Sequence, residues 1–208
     1  MKKITVRRAV DIAVSRVGLT FFGLPILVAA GLAYLESGMP GLFVQTRYGL
    51  NGRPFGCMKI RTLDENFRPL RSTGWLRKIG CDELPQLVNV AHGDMSLIGP
   101  RPCMEIPQTE GWDRVLAVPP GIVGMNSILQ KRDGRQNTYE EQAKIDGAYV
   151  EQRLLSGSFR QDMFILFQAA RLIAKRLVDT GNEARHEQSR LAAQGQGPER
   201  GKEKTCSL

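Results

Sequence analysis

The sequence predicts an α+β protein: an N-terminal re-entrant membrane helix-break-helix, then a small, mainly helical domain with a short β-hairpin and interfacial amphipathic helices. Three observations carry this. Val17 to Leu35 is an uncharged run of nineteen residues, bounded by Arg16 and Glu36, roughly 28 Å of helix and so close to the thickness of a bilayer's hydrocarbon core. Two short apolar stretches, Leu42–Val44 and Phe55–Ile60, flank the hairpin signal Asn51-Gly52. Helical apolar spacing returns late in the chain, over Tyr139–Leu155 and Asp162–Val178.

The apolar run has basic residues on both sides: Lys2, Lys3, Arg7, Arg8 and Arg16 upstream, and Arg47, Arg53, Lys59 and Arg61 downstream. A simple span would place one of these flanks outside, against the positive-inside tendency. Pro25 removes a helical hydrogen bond inside the run and makes it the expected membrane break. A single-pass anchor is the main rival. A buried core helix rarely uses so long an apolar segment. A cleaved signal peptide would be shorter and followed by a small-x-small site.

Residues 1–16 read as an amphipathic lead-in, and Ser37-Gly38-Met39-Pro40-Gly41 as the turn that returns the chain. Asp64–Ser72 reads as a loop, Leu84–Ala91 as a short helix and 93–102, rich in Gly and Pro, as an ordered loop. Asp162–Val178 carries Met163, Phe164 and Phe167 beside Arg171 and Lys175, which suits either the core or a membrane interface. The expected organisation is 1–38 membrane-associated, 39–180 globular and 181–208 a tail of low hydrophobicity.

The net charge of +8 points to an anionic partner: lipid headgroups, a phosphorylated small molecule or nucleic acid. Nucleic acid is disfavoured, because no basic strand interleaved with aromatics and no recognition helix is present. The four cysteines form no Cys-x-x-Cys pair, and only two histidines occur. Zinc, a disulfide framework and a Ser-His-Asp triad therefore lack material. What remains is carboxylate and Arg/Lys chemistry.

The densest polar segment is Gly80-Cys81-Asp82-Glu83-Leu84-Pro85-Gln86. With Asp82 as N-cap, both acids would sit at the positive end of a helix. A divalent cation, Mg²⁺ above all, would mediate between them and a phosphate. An ordinary capping pair is the plainer reading of that motif. Arg101, held between Pro100 and Pro102, presents a guanidinium from a stiff loop suited to forked phosphate contacts. Lys59 and Arg61 add cations from the preceding strand.

An ordered set of motifs then resembles the bacterial sugar transferases, the monotopic polyprenyl-phosphate phosphoglycosyl transferases that initiate glycan assembly. The set comprises Arg7-Arg8-Ala9-Val10-Asp11, Arg47-Tyr48-Gly49-Leu50-Asn51-Gly52, Lys59-Ile60-Arg61-Thr62, Leu76-Arg77-Lys78, Asp82-Glu83-Leu84-Pro85-Gln86, Gly93-Asp94-Met95-Ser96, Gly99-Pro100-Arg101-Pro102 and Pro120-Gly121-Ile122. The resemblance runs from about Arg8 to Val178. It implies that residues 39–180 transfer a sugar 1-phosphate from a UDP-sugar to a polyprenyl phosphate and release UMP. On this basis Asp82 is the nucleophile, Glu83 the Mg²⁺ ligand, and Arg101, Lys59, Arg61, Pro100 and Pro102 the substrate-binding set. Asp146 and Tyr149 match an Asp-x-x-Tyr pattern and join that set. The implied site of action is the cytoplasmic face of the bacterial inner membrane, with membrane lipids as further partners and self-association into a homo-oligomer left open. The chain departs from the family at Leu24-Pro25, usually Ser-Pro, and at Met125–Lys131. The competing reading is a catalytically inactive membrane-associated partner of a glycan assembly system.

Overall fold

The computed structural model describes residues 5–156, 159–175 and 178. It opens with α1, Val6–Ser37, 32 residues long and so about 48 Å. The Thr5 hydroxyl accepts from the Arg8 amide at its start, and Gly38 (φ 70°) ends it in the left-handed region that glycine adopts without strain. The expected lead-in and apolar run are thus one helix. Pro25 lies inside it and does not interrupt it. Losing one helical hydrogen bond is tolerated here because the next turns are held from outside: Ile26 and Ala29 pack with Ile60 and Leu76.

Contacts with the domain are made along much of α1. Near its start, the Arg8 guanidinium donates to the Val90 and Ala91 carbonyls at 2.6 and 3.0 Å. Buried Asp11 accepts from Ser96 Oγ (2.8 Å) and the Leu97 amide (3.0 Å). Near its end, the Glu36 carboxylate accepts from the Arg71 and Ser72 amides at 2.7 and 2.9 Å. The opposite face is bare and apolar; Phe21 and Leu24 are 73% and 72% exposed.

The hairpin expected around Asn51-Gly52 is present. Strands β1 (Leu42–Tyr48) and β2 (Pro54–Ile60) pair antiparallel from Leu42↔Ile60 to Tyr48↔Pro54. Asn51 (φ 54°) and Gly52 (φ 69°) both turn left-handed between them. The period of two puts Gln45, Arg47, Cys57 and Lys59 on one face. Helix α2 (Gly74–Ile79) ends at left-handed Gly80, and α3 (Gln86–His92) follows a 3₁₀ turn over Cys81–Glu83.

The segment 93–102 is not all loop. Ser96–Ile98 forms β3, parallel to β4 (Gly121–Val123). The backbones meet so closely that a β-carbon on Gly121 would collide with Gly99. Gly121 N donates to the Pro100 carbonyl at 2.8 Å, and Gly99 N to the Val123 carbonyl at 3.0 Å. The Pro-Gly-Ile motif is therefore the floor on which the Arg101 loop rests. Sequence reading did not anticipate α4 (Trp112–Val115) or α5 (Met125–Asp133).

Helix α6 (Tyr139–Ser156) forms as expected, and a further helix, α7, covers 160–175. The core joins Ile98, Val118, Ile128, Tyr149, Val150 and Ile165. In α7 Ile165 is buried, whereas Met163, Phe164 and Phe167 stand open. That favours the interfacial of the two sequence readings. The expected tail at 181–208 lies outside the described residues.

Candidate active site

The centre of the site is the turn between α2 and α3. Gly80, at φ 83°, reverses the chain, and its carbonyl accepts from the Glu83 amide; the Cys81 carbonyl accepts from the Leu84 amide. Asp82 therefore sits within a 3₁₀ turn and is not the N-cap of α3, which begins four residues later at Gln86. The tight i→i+3 bonding absorbs Asp82 and Glu83 before the helix starts. Their environment is set by surrounding side chains.

Asn89 locks this turn to the hairpin: its Oδ1 accepts from the Met58 amide at 3.1 Å and its Nδ2 donates to the Gly56 carbonyl at 2.7 Å. Glu83 then faces Lys59. Lys59 Nζ lies 2.8 Å from Glu83 Oε1, and Arg101 Nη2 3.5 Å from the same oxygen. Burial pushes the Glu83 carboxyl up, but Arg101 and Lys59 outweigh it and hold the group below the usual range. Asp82 behaves oppositely. Burial, then the adjacent Glu83 charge, raises its pKa against the pull of Lys59, Lys131 and Arg77. Two neighbouring acids thus have their titrations pushed apart.

The recess above Glu83 is walled by Arg47, Cys57, Lys59, Gln86, Arg101 and Pro102, with Gly121 and Ile122 behind. Arg47 is buried; burial and then Arg101 hold its guanidinium below its ordinary value. It donates to Gln45 Oε1 at 2.7 Å, while its Nε makes no hydrogen bond within the described protein. Lys131, from the last turn of α5, reaches the other side of the turn. Its Nζ lies 3.3 Å from where a β-carbon on Gly80 would sit.

Of the residues expected from sequence, Asp82, Glu83, Lys59, Arg101 and Pro102 come together. Pro100 lines the neighbouring recess with Tyr48 and Trp112. Arg61 is turned away: its Nε donates to the Pro40 carbonyl (2.8 Å) and its guanidinium lies 5.3 Å from the Phe43 ring centre. Tyr149 lies in the core, donating to Asp162 Oδ1 at 2.9 Å beside the Arg7–Asp162 ion pair. Asp146 is buried at the α5–α6 contact, and Pro25 stays in α1. Arg47, Gln86 and Lys131 were missed. Arg47 had a signal, since strand parity puts it on the Lys59 face; Lys131 had none.

No group of three or more His, Cys, Asp or Glu side chains gathers among the described residues. The donor set still fits Mg²⁺, which commonly takes one or two carboxylates and completes its shell with water and substrate phosphate. A recess lined by Glu83 with Arg47, Lys59 and Arg101, Glu83 being next in sequence to the buried Asp82, suits a phosphorylated anion.

Comparison with known proteins gives the family and relatives named for sugar-phosphate transfer. The family model described as bacterial sugar transferase matches residues 2–176. The uncharacterized sugar transferase EpsL of Bacillus subtilis is 38% identical over 163 residues, 71% of this chain and 77% of that protein. The UDP-glucose:undecaprenyl-phosphate glucose-1-phosphate transferase of Caulobacter vibrioides is 43% identical over 110 residues, 46% of this chain and 41% of that protein. The UDP-N-acetylgalactosamine-undecaprenyl-phosphate N-acetylgalactosaminephosphotransferase of Aeromonas hydrophila is 30% identical over 188 residues, 81% of this chain. The match spans less than half the length of these last two relatives, 41% and 43%.

Proposed function

Since the chain belongs to the bacterial sugar transferase family, we propose that it moves a sugar 1-phosphate from a UDP-sugar to a polyprenyl phosphate, releases UMP and so initiates a bacterial glycoconjugate or exopolysaccharide. The observation that carries this reading is Glu83, held ionised and paired beneath Lys59 and Arg101, with the buried Asp82 next to it in the same turn.

The reaction divides into two displacements. An Asp82 carboxylate oxygen attacks the sugar-bearing phosphorus, and the bond to the UMP phosphate oxygen breaks, its electron pair leaving with UMP. Polyprenyl phosphate then attacks the same phosphorus through an oxygen, restores the carboxylate and leaves as a lipid diphosphate sugar. Lys59, Arg101 and Arg47 offset the negative charge gathered on the donor. Glu83 would hold Mg²⁺, which supplies Lewis-acid neutralisation of the diphosphate when bound.

The topology follows the same reading. Arg8 and Glu36 bracket the apolar run, yet both bond to one domain. This supports an α1 whose two ends face the same side, dipping into the cytoplasmic leaflet of the inner membrane rather than crossing it. Both basic flanks would then stay in the cytoplasm.

The test is UMP release by the purified full chain with undecaprenyl phosphate, Mg²⁺ and a panel of UDP-sugars. One donor should support turnover, and without acceptor it should leave a phosphosugar on the peptide containing Asp82. No UMP from any donor would overturn the transferase reading in favour of an inactive partner. Turnover without the adduct would overturn the covalent route.

A further inference from the structure

Phe67 occupies a position that neither the backbone nor the core explains. Its φ of 59° lies in the left-handed region, where non-glycine residues are uncommon and Asn or Asp is favoured. Its ring is 82% exposed. The tip that carries it is nevertheless well bonded. Asp64 Oδ1 accepts from the Asn66 and Arg68 amides at 2.9 and 2.8 Å, and the Phe67 amide donates to the Asp64 carbonyl at 3.2 Å. Beneath the tip Leu63 bridges to Pro69, and Leu70 is buried. A fixed turn thus holds an aromatic ring out of the fold.

The base of this loop is tied to the end of the apolar helix. Glu36, in the last turn of α1, accepts from the Arg71 amide at 2.7 Å and from the Ser72 amide and hydroxyl at 2.9 and 2.6 Å. Trp75 joins the same cluster: its Nε1 donates to the Ser72 carbonyl at 2.9 Å while half the residue stays exposed. Leu35, beside Glu36, is exposed as well. The uncovered apolar face of α1 therefore adjoins the loop.

Charge completes the surface. Arg68, Arg71, Arg77 and Lys78 are all exposed here, against the two acids Asp64 and Glu65. Of those acids, Asp64 is engaged by backbone amides. Rings among cations, next to an apolar helix, suit the headgroup zone of a bilayer, where aromatics straddle the polar boundary and arginines meet phosphate.

We propose that loop 64–72, together with Trp75, is a lipid-contact surface that seats Phe67 in an anionic bilayer, with Arg68 and Arg71 on its phosphates. Helix α1 supplies the anchor; through the Glu36 clamp the loop fixes the depth of that helix's C-terminal end. The proposal rests on membrane attachment through α1 and not on the transferase chemistry, and its test reads no activity.

The test uses the full chain in lipid nanodiscs of phosphatidylcholine with phosphatidylglycerol. The chain has two tryptophans, and Trp112 is buried in the core. Phe67→Trp in a Trp75→Phe background therefore leaves position 67 as the one indole that outside quenchers reach. Lipid brominated on its acyl chains should quench that emission, and aqueous acrylamide should quench it less than in detergent-free unfolded chain. Full acrylamide access without bromolipid quenching would place the tip in water and overturn the proposal. Shielding from both quenchers would mean that a protein covers the tip, which overturns it equally. Adding Arg68→Gln and Arg71→Gln should reduce bromolipid quenching in these discs to the level found in pure phosphatidylcholine. Equal quenching with and without the arginines would refute their part in it. Phe67→Asn separates a lipid role from a structural one. Asparagine suits the left-handed backbone, so the unfolding temperature should equal or exceed the parent's. A lower one would show that the ring serves the fold, and the proposal would fail.

Discussion

Two adjacent acids with opposed pKa shifts cannot have interchangeable roles. Asp82→Asn keeps the turn's shape but removes the attacking oxygen, so transfer should fall by several orders of magnitude with expression and membrane association intact. Activity near the parent level would refute its role. Glu83→Gln should lower activity and flatten the Mg²⁺ titration; an unchanged titration would remove Glu83 as ligand. Arg101→Lys keeps the charge but loses the fork, which should lower kcat/KM by about 2 kcal/mol, or ~thirtyfold. A different consequence belongs to Asp146. Its carboxyl is neutral in the fold up to about pH 7 but ionises near its ordinary value once unfolded. Protein stability is therefore greatest below the unfolded pKa and is lost as pH rises toward the folded one. Relative to Asp146→Asn, the parent's unfolding temperature should drop between about pH 4 and 7 and then run parallel. Parallel curves throughout would show that Asp146 is already ionised in the fold. These acids differ in how readable they were. Asp82, Glu83 and Arg101 announce themselves because neighbours in sequence supply their chemistry. Arg47 and Lys131 reach the same turn from a strand and a helix well separated in the chain; strand parity marks Arg47, and nothing in the local sequence marks Lys131.

At the scale of elements, what the sequence conveyed was what local physics determines. Asn51-Gly52 made the hairpin, because both positions take left-handed backbone angles. Helix α6 followed its apolar spacing. Strands β3 and β4 were hidden, being three residues each and joined in parallel across more than twenty intervening positions, so that no local pattern marks them. The same holds for the Asp82 turn, where Gly80 ends one helix and Pro85 delays the next. Helix α1 illustrates a local rule overridden by packing: Pro25 should break it, yet contacts on both sides keep it whole. Asp11 makes two of those contacts, to Ser96 Oγ and the Leu97 amide. Asp11→Ala would leave Ser96 Oγ and the Leu97 amide without their acceptor, an expected loss of about 1–3 kcal/mol. Because β3 leads into the Arg101 loop, the donor KM should rise as well. A thermal midpoint equal to the parent's would show that α1 is held elsewhere.

The whole molecule presents one continuous question: what faces the apolar surfaces that the domain leaves uncovered. On α1 these are Phe21, Phe22, Leu24, Leu27 and Val28; on α7 they are Met163, Phe164 and Phe167, the last 64% exposed. Exposed patches of this kind mark a membrane or protein contact. The net charge of +8 favours an anionic bilayer surface. If both helices enter the lipid, charging either should weaken attachment, but unequally. Phe21→Glu with Leu24→Glu places two acids in the middle of the apolar run and should abolish retention on alkaline extraction. Phe164→Glu with Phe167→Glu removes two interfacial rings, each worth about 1.5–3 kcal/mol when fully buried. It should reduce flotation with anionic vesicles and slow transfer to a long-chain acceptor embedded there, while UMP release in detergent persists. If flotation is unchanged by the α7 pair while solubility improves, α7 faces a protein and α1 alone anchors the chain. Labelling then settles the orientation of α1. With the native cysteines replaced, Lys3→Cys and Asn51→Cys should both resist an impermeant thiol reagent in intact cells and react after permeabilisation. Reaction of Lys3→Cys alone before permeabilisation would mean that α1 crosses the bilayer, and its contacts at Arg8 and Glu36 could not then coexist.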